Sequence, residues 1–208
     1  MIYCGRENHL PEIVRHNQIA GCDVVLLIGE INQPASTAVC REIRRASLFR
    51  PMLLVVNSQG GGLEEVWKIT QTIIATERRS AELAVDIVHA HGAALLLVMQ
   101  FPIRFSSPQA TVGNLHVPEF SHPPGQQYIM ADGGMMLTHT HDDLTWEVGP
   151  QWFHRSGGID TKLFARLQHS TPIIAEQAEA HGLIHYITPG LVDSAAQLYQ
   201  AFEERINQ

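Results

Sequence analysis

A single α/β domain, built around a mainly parallel sheet flanked by helices, is the fold this sequence predicts, and three observations predict it. Short, largely apolar runs recur along the chain: DVVLLIG at 23–29, MLLVV at 52–56 and LAVDIVH at 83–89. The first two are each followed by a segment with helical signals or helical apolar spacing, and the third by the short segment at 92–100. The runs also lack the alternation of a half-solvated antiparallel strand, so both of their faces must be covered. At 208 residues, one hydrophobic core is easily large enough for the whole chain.

The elements then follow in order. Residues 23–29 form a buried strand, and Pro34 stands where the first turn of a helix tolerates it; that helix should run to about residue 48, before Pro51. The strand at 52–56 leads into Asn57-Ser58-Gln59-Gly60-Gly61-Gly62. Beyond it Leu63, Val66, Trp67, Thr70, Ile73 and Ile74 share one face of a helix. A third strand at 83–89, a short helix at 92–100 and a strand at 103–105 complete this half. Residues 118–135 hold three prolines and three glycines, so an irregular insertion is expected at about 118–154 within the single domain 1–208. Helical signals return at 160–168, at 174–181 and at 192–206, with a last short strand at 183–187.

Composition narrows the function classes. Charged residues are only 17% of the chain, below the roughly 25% of ordinary soluble domains, which suggests a surface partly covered by other subunits and hence a homo-oligomer. A formal charge of -7 with no Lys/Arg run argues against nucleic acid or an anionic membrane as partner. Cys4, Cys22 and Cys40 have no metal-site spacing and read as reduced thiols. The N-terminal residues lack a basic segment followed by an apolar one, and no apolar stretch reaches the ~18 residues of a membrane span. A cytoplasmic protein is therefore expected, with no cofactor.

Two stretches carry chemistry. Three glycines directly after a buried strand let the backbone come close to a ligand, and the N–H groups of Gly60, Gly61 and Gly62 can form an oxyanion hole. A tight turn is the plainer reading of that run taken alone. The second stretch, Ala90-His91-Gly92-Ala93-Ala94-Leu95, turns a strand into a helix in the way an elbow presents a nucleophile, yet it carries no Ser, Cys or Thr.

In their order these pieces resemble the proteolytic subunit of the Clp protease, within the Clp protease/crotonase superfamily. Leu27-Ile28-Gly29-Glu30-Ile31-Asn32 lies at the first strand, and Asn57-Ser58-Gln59-Gly60-Gly61 is similar to the family's N-S-P-G-G. The elbow follows, then Arg104-Phe105-Ser106-Ser107-Pro108 through Val112 to His116 and Pro118, where the family has a strand ending in its catalytic histidine. Ala175-Glu176-Gln177-Ala178-Glu179-Ala180-His181-Gly182-Leu183-Ile184 is similar to A-x-E-A-x-x-Y-G-L-I-D. The likeness spans roughly 24–118 and 155–188.

The resemblance implies a catalytic site that is incomplete. Laid on G-x-A-A-S-M-G, the elbow puts Ala94 at the nucleophilic serine and Leu95 beside it as an oxyanion or substrate-binding residue. His116 falls at the general base, and the acidic member of the triad falls near Arg166, which cannot orient a histidine as a carboxylate does. Alanine at 94 fits either a non-catalytic, peptide-binding homologue or a serine peptidase whose nucleophile was replaced by engineering. Peptide or unfolded protein is the partner so implied, and an AAA+ ATPase a further one. The irregular segment after His116 stands where the family has a long ring-stacking helix, which puts a double ring in doubt.

Two alternatives compete with this reading. His91-Gly92-Ala93-Ala94 followed by residues 103–113 also resembles the crotonase branch, where backbone N–H groups stabilise an acyl-CoA enolate and no serine is needed. Leu137-Thr138-His139-Thr140-His141-Asp142-Asp143 superficially resembles the H-x-H-x-D-H motif of metal-dependent hydrolases, with His139, His141 and Asp143 as the ligands. Leu144 replaces that motif's final histidine, so a solvated or interface histidine pair is the preferred reading.

Overall fold

The computed structural model describes residues 16–46, 49–76, 83–114, 126–131, 134–139, 145–148, 167 and 172–207. Strands β2 (Cys22–Ile28), β3 (Met52–Ser58), β4 (Leu83–His91) and β5 (Ile103–Gly113) lie side by side and parallel, in chain order. The sheet is antiparallel at its margins: β1 (His16–Ile19) forms a hairpin with β2, and β9 (Ile173–Ile174) runs against the far end of β5. The short β10 (Tyr186–Ile187) pairs parallel with the start of β5.

Three helices cover one face. In α1 (Gln33–Arg45) the Asn32 side chain accepts the Ala35 N–H at 3.0 Å, Pro34 occupies the first turn, and Arg44 and Arg45 stand at the C-terminal end of the helix dipole. Val39 and Ile43 of α1 and Val66, Ile69 and Ile73 of α2 (Leu63–Ala75) meet Val25, Leu27, Leu54 and Val85 of the sheet, with α3 (Ala93–Val98) wholly buried among them. The opposite face carries Val24, Leu53, Val55, Ala84 and Phe105, against which Ala195 and Leu198 of α5 (Leu191–Ile206) pack. This two-sided burial is why the strands are apolar throughout. The remaining helix, α4 (Ala175–Ala180), sits against β5 through Ala175 and Ala178.

β4 carries one irregularity. Val56 and Asn57 of β3 pair with Ile87 and His89, skipping Val88, and on the other side β5 runs from Ser106 to Thr111 while β4 runs only from Ile87 to His89. Such a bulge reverses the alternation. Val85 and Ile87 face the main core before it and Ala90 after it, so His89 and His91 turn to the other face.

Several expectations change. The strand expected at 103–105 continues to Gly113, α1 stops at Arg45, and the strand expected at 183–187 is reduced to Tyr186–Ile187. The segment 118–154 is not irregular throughout: β6 (Gln126–Ala131), β7 (Gly134–His139) and β8 (Thr145–Val148) form an antiparallel three-stranded sheet. Strand pairing satisfies the backbone there despite the flanking prolines and glycines. The helix expected at 160–168 lies outside the described residues save Leu167, which is buried. Among the described residues, no helix is long and apolar enough to cross a membrane.

Candidate active site

The elbow is built from three pieces of backbone. β4 ends at His91, and Gly92 takes φ 54, ψ -130 to reverse the chain into α3. This is a conformation that side chains with a Cβ rarely adopt. The Gly92 N–H donates to the carbonyls of Gly113 (3.1 Å) and Asn114 (3.0 Å), which seats the end of β5 against the elbow. From the other side, a Cβ on Gly60 would lie 2.9 Å from both the Ala93 nitrogen and the His91 oxygen, and Gly60 has φ 104. The glycine loop is therefore glycine because it touches the elbow through bare backbone.

A single parallel bridge ties that loop to the connection between β2 and α1. Ile31 donates its N–H to Gly60 O at 2.8 Å and accepts the Gly62 N–H at 3.0 Å, and a Cβ on Gly61 would collide with the Ile31 carbonyl. A bridge of this kind uses the groups flanking Gly61 and turns Gly61's own N–H to the opposite side. The loop is pinned from within as well, since the buried Ser58 Oγ accepts the Gly60 N–H at 3.0 Å.

The expected oxyanion donors thus divide. Gly60 donates to Ser58, Gly62 to Ile31, and Leu95 to the Gly92 carbonyl at 3.1 Å. Gly61, which is exposed, is the one of the four whose N–H makes no hydrogen bond among the described residues. Ala94 stands in the first turn of α3 with 0% exposure, and Leu95 is equally buried. Solvent reaches this region at Gly61 and Gly62 rather than at the Ala94 methyl group.

His116 and Arg166 lie outside the described residues, as do His141 and Asp143, while His139 ends β7 opposite Gln126. Asp86 is a buried carboxyl of β4 that the sequence reading passed over. Its burial pushes its pKa up, with Ser194 of α5 as a hydrogen-bond partner that opposes the shift. Also unforeseen is the tie from the elbow to Asn114, which takes φ 47, a value asparagine tolerates better than most residues; the asparagine after Gly113 was the one signal in the sequence.

Parallel strands joined through helices, a glycine loop after the second of them and a strand-to-helix elbow after the third define a Clp protease-like fold. Solved structures agree. The chain is similar to ClpP1 from Listeria monocytogenes, with a TM-score of 0.54 and 16% identity over 81% of this chain and 92% of that one. It is also similar to a serine-to-alanine mutant of 1510-N, a membrane-bound stomatin-specific protease, with a TM-score of 0.54 and 12% identity over 81% of this chain and 79% of that one. No protein-family profile matches the sequence, and no curated protein is similar to it in sequence.

Proposed function

We propose that this chain is a Clp protease-like protein with no peptidase chemistry at its elbow, that it binds extended peptide and that it acts as a homo-oligomer. The observation that carries the reading is the pairing of a buried alanine at the elbow with an exposed, outward-turned N–H at Gly61. A methyl group cannot attack a carbonyl, but a backbone donor in the bridged segment after β3, unpaired among the described residues, can receive a peptide as an added strand. In such a mode the main chain of the ligand provides affinity and its side chains fall alternately into the site and into solvent.

The test uses the ligand, because every substitution at Gly61 meets Ile31. A fluorescein-labelled unfolded polypeptide should bind in anisotropy titrations. A short peptide should compete with it, and the same peptide N-methylated at alternate residues should not compete in one of the two methylation registers. Equal competition by both methylated registers would refute strand addition. Ala94→Ser should add no peptidase turnover, and a serine that restores it would show an engineered peptidase instead. Sizing with light scattering at micromolar protein should return an oligomer, and a concentration-independent monomer would contradict that part of the proposal.

A further inference from the structure

Past the bulge at Val88, three side chains meet on the face turned away from the main core. His89 Nδ1 and His91 Nε2 each lie 2.9 Å from the Thr111 hydroxyl, within hydrogen-bond reach, and the two rings stand edge to face with centroids 6.2 Å apart. The irregular stretch of β5 between Ser106 and Thr111 is what brings Thr111 opposite His89. Bulges of this kind recur beside sites because they re-aim a side chain.

The direction of the hydrogen bonds follows from His91. His91 is 8% exposed, and its Nδ1 is buried with no hydrogen-bond partner among the described residues. Were Nδ1 protonated, a buried N–H would be orphaned, whereas a bare acceptor is tolerated more often. The proton therefore sits on Nε2, which donates to Thr111 Oγ1. The threonine hydroxyl must then donate to His89 Nδ1. Burial lowers the His91 pKa, with the charge of a protonated His89 acting in the same direction and a hydrogen bond to the Thr111 backbone opposing them, so His91 stays neutral and keeps one ring N–H turned to Thr111. His89 and Thr111 are both half-buried.

A hydroxyl donating to an imidazole at hydrogen-bond distance is the nucleophile–base pair of covalent catalysis. We propose that Thr111 is a nucleophilic centre separate from the elbow, with His89 as its general base, and that its substrates are small activated esters. Thr111 Oγ1 attacks the ester carbonyl, whose oxygen takes the charge, and its proton passes to His89 Nδ1, while the His91 Nε2–H holds Oγ1 beside the base. The tetrahedral adduct collapses with rupture of the bond to the leaving alkoxide, which takes the proton back from His89. Water, deprotonated by His89, then hydrolyses the acyl-threonine, returning the hydroxyl and releasing the acid. This inference does not rest on peptide binding at Gly61.

A fluorophosphonate is the probe: the Thr111 Oγ1–P bond forms, the P–F bond breaks, and fluoride leaves as His89 takes the proton. Peptide mapping by mass spectrometry should place one adduct on Thr111. Thr111→Val, which keeps the shape of the side chain, should abolish the adduct, and Thr111→Ser should retain it. His89→Ala should slow labelling by on the order of 10²- to 10⁴-fold, and added imidazole should restore part of the rate, which a merely structural histidine would not allow. The proposal is overturned if no adduct forms at 111 in the parent and the folded Thr111→Ser protein alike, or if His89→Ala labels at the parent rate. Peptide binding, read by anisotropy, should be unchanged by His89→Ala, so the two readings can fail separately.

Discussion

Replacing Arg104 by methionine removes one of the most deeply buried charges in the fold while keeping a side chain of similar reach. Arg104 is 1% exposed. Its Nε donates to the Leu183 carbonyl at 2.8 Å, Nη1 to Phe101 O at 2.8 Å, and Nη2 to Gly182 O at 3.0 Å and to His185 Nε2 at 2.8 Å. Burial pulls its pKa down to about 10, which still leaves a cation at neutral pH. His185 is kept neutral, first by its own burial and then by the neighbouring guanidinium, and so accepts at one ring nitrogen, either Nε2 from this guanidinium or Nδ1 from the Arg104 backbone N–H at 3.2 Å. Each hydrogen bond to a charged group contributes about 1.5–3 kcal/mol, but the desolvation of the guanidinium offsets much of their sum. Methionine leaves no unpaired charge behind, but it strands the Leu183 and Phe101 carbonyls in the interior without a donor, at about 1–3 kcal/mol for each unsatisfied group, for a net loss of about 3–5 kcal/mol. For a domain of this length that lowers Tm by about 6–20 °C. Urea unfolding should show a lower midpoint at unchanged m-value, and Arg104→Lys, with one ammonium for several acceptors, should recover less than half of the loss. A loss below about 1 kcal/mol would show that the hydrogen bonds barely exceed the desolvation cost, contrary to the reasoning.

Two further predictions concern the sheet and the elbow. Because burial raises the Asp86 pKa in the folded state, its contribution is fully present below the unfolded carboxyl value of about 4 and is lost as pH rises through the folded value. Asp86→Asn should therefore be more stable than the parent at neutral pH and lose that advantage near pH 3, as a Tm series in pH would show. Gly60→Ala forces a Cβ against the elbow backbone at a positive φ and should cost about 2 kcal/mol or more. Denaturant unfolding that finds no loss would mean that loop and elbow move apart freely.

How much of this was legible in the sequence depended on whether a feature was local. β2, β3 and β4 were legible because burial on both faces leaves a continuous apolar run, and α5 because its apolar spacing is regular. The hairpin at β1 was missed, since His16–Ile19 is mostly polar and its turn is made by Ala20-Gly21 with φ 46 and 83 rather than by an Asn-Gly pair. β5 was cut short at Phe105 because Ser106, Ser107 and Pro108 read as its end, although they lie where the register with β4 is broken. The elbow and glycine loop could be located from Gly60, Gly61 and Gly92. Which of their N–H groups stay free could not, because that depends on Ile31, some thirty residues away in the chain and bridged only in the fold. The meeting of His89, His91 and Thr111 was hidden for a similar reason: without the bulge at Val88, both histidines would point into the core.

The bridge between Ile31 and Gly61 also fixes how the elbow breathes. Amides on either side of Gly61 are held by different partners, Gly60 by a buried serine and Gly62 by the Ile31 carbonyl, while the Gly92 amide is shared between two carbonyls at the end of β5. Exchange with deuterium at these three positions requires the glycine loop, the β2–α1 connection or the end of β5 to separate, so they should exchange slowly and be sensitive to changes in either neighbour. The Gly61 amide between them is outside that cooperative unit. It should exchange at a rate set by solvent alone, a fast-exchanging position flanked by slow ones, and slow only when something else takes its proton.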